Sequence, residues 1–166
     1  MIYDSHGGIS IMSELRTNRI IPRDGLTSGT GVGGGIIQIK QTIKKDQFTT
    51  ASTVSSGGYV DLTGLSVAIT PTRSDSKVLI KAVIYNSNAN AVNFFRVLRG
   101  STFIEQPSGT SSSGANWNAH GFAYYNADNW QDSTVIEILD SPATTSETTY
   151  KIQMAVTSNT GTINKF

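Results

Sequence analysis

Most of the chain alternates between apolar and polar positions with a period of two. In Tyr150–Val156 the apolar side chains at 150, 152, 154 and 156 share one face, and Lys151 and Gln153 lie on the other. Leu65–Ile69 and Val78–Ile84 show the same alternation. Because successive side chains of a strand point to opposite faces, this pattern predicts β-strands with one buried face.

Turn residues separate about eight such segments. Phe94–Leu98 and Thr102–Glu105 flank Arg99-Gly100-Ser101, which predicts a hairpin with glycine at its tight turn. No segment has a helical period. The fold class predicted is therefore all-β, an antiparallel β-sandwich or jelly roll. The other strands expected are Ile36–Ile43, Asn116–Tyr125, Thr134–Leu139 and Gly161–Lys165.

The first 35 residues lack this pattern, and Gly25–Gly35 is rich in glycine. Such a run disfavours both helix and strand, because each glycine loses much backbone entropy on ordering. We therefore predict an N-terminal anchoring arm with a Gly-rich linker over residues 1–35 and a β-sandwich knob over residues 36–166. Met12 is an alternative start that would make residues 1–11 dispensable, and 12–35 could extend to roughly 80 Å.

The composition excludes several classes of partner and of chemistry. Lys and Arg number 13 against 12 Asp and Glu, a formal charge of +1, which argues against nucleic acid or an anionic membrane as partner. The absence of cysteine excludes disulfides, thiolate nucleophiles and Cys-ligated zinc. Serine, threonine and glycine make up 56 of 166 residues, which is unlike a helical protein.

The motifs that could form a catalytic or binding site are better explained by structural roles. Gly29–Gly34 fits G-x-G-x-x-G, but a β-branched segment follows it where a dinucleotide site needs a helix. His6 and His120 are far apart and lack zinc-ligand spacing. Glu137 and Asp140 are better explained as strand acids on opposite faces than as a glycosidase pair. We expect no catalytic residues, no cofactor and no metal, and hence no enzyme.

Segments in a fixed order resemble a domain widespread in fibre-type virion proteins of tailed bacteriophages, especially marine phages and cyanophages. Ser13–Gly25 is similar to the short segment that commonly precedes that domain. The segments that carry the resemblance are Ile36–Ile43, Asp46–Thr50, Val60–Pro71, Ser76–Ile80, Arg96–Thr102, Leu139–Thr145, Thr149–Gln153 and Gly161–Asn164.

The resemblance implies a non-enzymatic structural protein of the virion, with a β-rich, trimeric knob. Long fibres of this kind carry a shaft that this chain lacks, so a small fibre, capsid decoration or adaptor on head or tail is favoured. Residues 12–35 would bind another virion protein of the capsid or tail. The candidate anchoring residues are Leu15, Arg16, Arg19, Ile20, Ile21 and Arg23.

Both faces of some strands are apolar, which predicts contact with further copies of the chain. Phe94 and Phe95 are adjacent and must point to opposite faces, and Leu79 and Tyr85 alternate with Ile80 and Ile84. A sheet with two apolar faces needs a cover on each, here a second subunit. Leu79, Tyr85 and Phe95 are the expected interface residues of a homotrimer.

The alternative is a receptor-binding adhesin that recognises a host surface glycan. The segment Asn116–Trp130 combines aromatic rings with amide side chains, which together suit sugar rings or protein contacts. Packing inside the sandwich is the favoured explanation for most of these aromatic residues, whereas Trp130 lies in a polar loop and is the best candidate for exposure. The candidate ligand surface comprises Trp117, Asn118, Asn129 and Trp130.

Overall fold

The computed structural model describes residues 36–56, 58–105, 119–126 and 130–165, and both sheets lie in the unit Lys40–Phe166. A single 3-10 turn, Val54–Ser56, occurs among these residues. The strands are β1 Phe48–Thr50, β2 Val60–Ile69, β3 Val78–Ser87, β4 Val92–Arg99, β5 Thr102–Phe103, β6 Gly121–Tyr124, β7 Gln131–Asp140, β8 Thr148–Val156 and β9 Gly161–Ile163.

The strands pair in a nested order from the two ends of the unit inward. β1 pairs with β9, β2 with β8, β3 with β7 and β4 with β6, each antiparallel. One sheet has the order β1-β9-β3-β7, and the other has β2-β8-β4 with β5 and β6 both on the remaining edge of β4. This winding is that of a jelly roll, and it confirms the antiparallel β-sandwich predicted from the sequence.

The core lies between the two sheets and consists of their inward-facing alternate residues. β7 follows the period of two most regularly, with Thr134, Ile136, Ile138 and Asp140 buried and the residues between them exposed. From the other sheet, β4 and β8 contribute the largest share. The buried apolar cluster comprises Leu62, Ile84, Phe95, Val97, Ile104, Ile136, Ile138, Tyr150, Ile152, Met154, Val156 and Ile163.

Two glycines adopt a positive φ where the chain departs from regular strand geometry. Gly64 (φ 84°) lies where the register of β2 against β8 shifts, between Asp61 and Ser66. Gly100 (φ 60°) lies in the turn that joins β4 to β5, where Arg99 pairs with Thr102. The hairpin predicted at this glycine is therefore confirmed.

Some predicted boundaries were wrong. Ile36–Ile43 forms no strand, and the first ladder begins at Phe48, whose partner Ile163 is followed by Asn164 with a positive φ of 52°, where the partner strand ends. Thr134–Leu139 is part of a longer strand, since all ten residues of β7 pair with β3. In the described part of Asn116–Tyr125, the strand is limited to β6. The arm predicted over residues 1–35 lies outside the described residues.

Candidate self-association surface

The outer face of β3 and β7 is apolar and exposed. We define the β3–β7 face as the outward side chains of these two strands: Leu79, Lys81, Val83, Tyr85, Ser133, Val135, Glu137 and Leu139. Its five large apolar side chains, on Leu79, Val83, Tyr85, Val135 and Leu139, are each between 51% and 62% exposed. They are outward because the residues between them, such as Ile136 and Ile138, fill the core.

The register of the two strands organises this face into levels. Leu79 pairs with Leu139, and Val83 pairs with Val135 four residues further along. Between these apolar levels Lys81 pairs with Glu137, and Lys81 Nζ lies 2.8 Å from Glu137 Oε2. The face therefore presents apolar, charged and apolar levels in succession.

The free energy available from covering this face is comparable to what association requires. Complete burial of a valine or leucine side chain is worth about 1.5–3 kcal/mol, so covering five half-exposed side chains gives roughly 5 kcal/mol per copy. Two copies would gain roughly 10 kcal/mol, within the range of about 4–15 kcal/mol lost to restricted motion on association.

The structure places two of the three predicted interface residues on this face. Leu79 and Tyr85 point outward and are more than half exposed, whereas Phe95 is 0% exposed and belongs to the core. The prediction for Phe95 was wrong because its neighbour takes the outward position. Phe94 is itself buried, and the ring of Phe122 on β6 lies 6.3 Å from it.

The outer face of the other sheet is polar near the β2 side. Asp61 accepts hydrogen bonds from Lys151 at 2.8 Å and from Gln153 at 2.6 Å, and Gln153 accepts one from Arg96 at 2.7 Å. The guanidinium of Arg96 lies 4.0 Å from the ring centroid of Tyr59, and burial raises the pKa of Tyr59 to about 12. These groups satisfy one another within one chain, unlike the apolar β3–β7 face.

Asp140 connects the two sheets from inside. Its carboxylate accepts hydrogen bonds from Arg99 Nη1 at 2.9 and 2.8 Å and from the Tyr150 hydroxyl at 2.6 Å. Burial, and secondly the bond to Asp140, raise the pKa of Tyr150. Glu137 instead points outward toward Lys81, so the two acids lie on opposite faces of β7 as the sequence predicted.

A buried amide cluster lies at one end of the sandwich. Asn93 donates to Asn86 Oδ1 at 2.9 Å, Asn88 donates to Asn93 Oδ1 at 2.7 Å, and the Tyr125 hydroxyl donates to Asn86 Oδ1 at 2.7 Å. Burial raises the pKa of Tyr125. Asn88 also lines a polar cleft of about 450 Å³ between the β3–β4 and β8–β9 turns. The sequence pattern did not reveal this cluster, because its members are distant from Tyr125 along the chain.

His120 has a structural role at the edge of β4. Its Nδ1 accepts a hydrogen bond from Val97 N at 2.9 Å, so the ring proton is on Nε2, which donates to Ile104 O at 2.7 Å. The ring thus fills the gap between β5 and β6 on the β4 edge. Burial lowers the pKa of His120, which favours the neutral ring.

Of the four residues of the predicted ligand surface, the structure describes only Trp130. Trp130 immediately precedes β7 and is 63% exposed, as expected for a residue in a polar loop. Phe122 and Tyr124, on one face of β6, are similarly exposed. Trp117, Asn118 and Asn129 lie outside the described residues, as do the anchoring candidates Leu15, Arg16, Arg19, Ile20, Ile21 and Arg23.

A scan against models of known protein families and a search of curated proteins both find no match to this chain. In the part of the chain that the structure describes, no three His, Asp or Glu side chains form a cluster that could hold a metal ion. The described residues also include no helix with the length and apolar character needed to cross a membrane.

Proposed function

We propose that the protein is a non-enzymatic structural component of a tailed-phage virion, a small fibre, capsid decoration or adaptor on head or tail. Its jelly-roll knob binds further copies of itself through the β3–β7 face, and residues 12–35 anchor it to another virion protein. The homotrimer is the assembly that the sequence resemblance implies. No cofactor, nucleic acid or membrane takes part in this function.

The observation that carries this proposal is the exposed apolar β3–β7 face on a jelly roll. Jelly rolls recur in viral capsid proteins, and exposed apolar patches commonly mark protein–protein contacts. A second copy is the favoured occupant because Lys81 and Glu137 give the face equal numbers of opposite charges, so it is complementary to itself. The ionisable groups of the interior, Asp140 and His120, have partners within the fold, which supports a structural role.

The proposal is tested on particles of the phage that encodes the chain. We expect mass spectrometry of purified virions to detect the protein, and immunogold labelling to locate it on the head or tail. Deletion of residues 12–35 should abolish incorporation while the knob still folds and self-associates, and deletion of residues 1–11 is the matched control that should leave incorporation intact. Detection only in lysates, and never in particles, would contradict the virion role.

A second candidate function is host recognition by an adhesin, and the exposed rings of Trp130, Phe122 and Tyr124 favour it. Sugar rings stack on exposed aromatic faces, and Trp130 has the largest such face here. In that case Trp130→Ala would abolish binding to host cells or glycans while Trp130→Phe retains part of it, and virion incorporation would be unchanged in both. Equal binding by wild type and Trp130→Ala would eliminate this candidate.

A further inference from the structure

We propose that two copies pack their β3–β7 faces together about a two-fold axis that runs parallel to the strands. The axis lies in the plane between the two packed faces, over the midline between β3 and β7. This inference rests on the self-association part of the proposed function. It specifies which side chains of the two copies meet, and so it can fail while self-association stands.

The composition of the face favours this axis. Rotation about it exchanges the positions of β3 and β7 but keeps each level in place. Leu79 of one copy then lies over Leu139 of the other, and Val83 lies over Val135, so side chains of matching size meet. At the next level Tyr85 lies over Ser133, which pairs a large side chain with a small one.

The charged level distinguishes the axis parallel to the strands from the main alternative, an axis perpendicular to them. With the axis parallel to the strands, Lys81 of each copy lies over Glu137 of the other, and the four charges alternate in sign around a square. An axis perpendicular to the strands through the same level would place Lys81 over Lys81 and Glu137 over Glu137. Packed sheets are separated by about 10 Å, a gap that lysine and glutamate side chains can span from both sides. Coulomb attraction therefore selects the parallel axis.

Such a contact uses the same patch on both copies and closes after two. The three-fold assembly that the sequence resemblance implies would then need a separate contact elsewhere on the knob, and that contact would join such pairs into hexamers. Sedimentation of the full chain should therefore give two or six copies. Three copies would overturn the two-fold contact but leave self-association in place, whereas a single copy at micromolar concentration would overturn both.

Cross-linking tests the direction of the axis, because the chain has no cysteine and each variant carries a single thiol. We expect Leu79→Cys to cross-link to itself through a short bis-maleimide, and Val83→Cys likewise, with little mixed product when the two variants are combined. Differently tagged chains distinguish the products on a gel. Predominantly mixed product would show the perpendicular axis and overturn the proposal.

Charge reversal tests the pairing between copies. Lys81→Glu should weaken association at least tenfold, because four carboxylates then meet at one level, and Lys81→Glu/Glu137→Lys should restore it. Arg73→Glu, a reversal in the exposed Arg73–Asp75 pair, which is not among the eight residues that define this face, is the matched control and should have no effect. Unchanged association in Lys81→Glu, with circular dichroism showing a folded protein, would overturn the proposal.

Discussion

Substitution of Arg99 by methionine should destabilise the fold strongly, because Arg99 neutralises a buried carboxylate. The Asp140 side chain is 5% exposed and lies in the sheet that contains β3 and β7, whereas Arg99 and Tyr150 belong to the opposite sheet. Arg99 donates two of the three side-chain hydrogen bonds that Asp140 accepts. Arg99→Met keeps much of the side-chain length but removes the charge and Nη1, the nitrogen that donates both of these hydrogen bonds.

The expected loss in the free energy of unfolding is about 3 kcal/mol. Breaking a buried ion pair by removing one partner costs about 3–5 kcal/mol, since the remaining charge is left without compensation. We expect the lower end because the Arg99 side chain is 30% exposed and the Tyr150 hydroxyl still donates to Asp140. Arg73→Met removes an arginine from an exposed pair, with side chains 62% and 68% exposed, and should change stability little.

Urea unfolding at pH 7 and a fixed protein concentration measures this difference. A loss of about 3 kcal/mol lowers the midpoint by roughly 1–2 M urea if the slope stays at its usual value for a domain of this size. The slope itself should not change, because the folded state keeps its sheets. A midpoint for Arg99→Met within error of that for Arg73→Met would refute the role assigned to this pair.

Three further predictions concern the interior. Because the pKa of His120 is lowered in the folded state, the unfolded chain binds more protons at acidic pH. The contribution of His120 to the free energy of unfolding is therefore complete above about pH 6.5 and is lost as the pH falls toward the folded pKa. Urea midpoints measured between pH 8 and 5 should consequently fall more in wild type than in His120→Gln. Tyr125→Phe removes the donor to Asn86 Oδ1 and O, both at 2.7 Å, and should cost about 1–2 kcal/mol in urea unfolding. Gly161→Ala would place a Cβ 2.6 Å from Asn93 Oδ1, and it should lower the free energy of unfolding by about 1–3 kcal/mol, with Thr160→Ala, at an exposed neighbour, as control. Wild-type behaviour of any of these three variants would contradict the contact on which its prediction rests.

The period of two was sufficient to predict the fold class and part of the site. In β3 the inward residues Ile80 and Ile84 place Leu79 and Tyr85 on the outward face. Odd- and even-numbered residues of an uninterrupted strand lie on opposite faces, so the parity of a residue number determines its face. The same parity in β7 made Val135 and Leu139 outward. They were not included among the interface residues, although the alternation in Thr134–Leu139 contained the signal.

Parity could not decide between Phe94 and Phe95. Either phenylalanine could face the core, and the choice depends on β6, which places Phe122 beside Phe94. Likewise, Asp140 and Arg99 are 41 residues apart, so their pairing depends on how the two sheets stack. Local patterns carry no information on such contacts, and the partners of His120 could not be predicted for the same reason.

The central claim is that the β3–β7 face joins copies of the chain. Sedimentation equilibrium of the full-length protein at micromolar concentration tests it most directly, for wild type beside Val83→Arg. Val83 is 59% exposed, so the variant should keep its fold and its far-ultraviolet circular dichroism spectrum. The account predicts an oligomer of two or six copies for wild type and a lower mass for Val83→Arg, namely one chain in place of two or three in place of six, whereas a monomeric wild type, or equal masses for the two proteins, would contradict it.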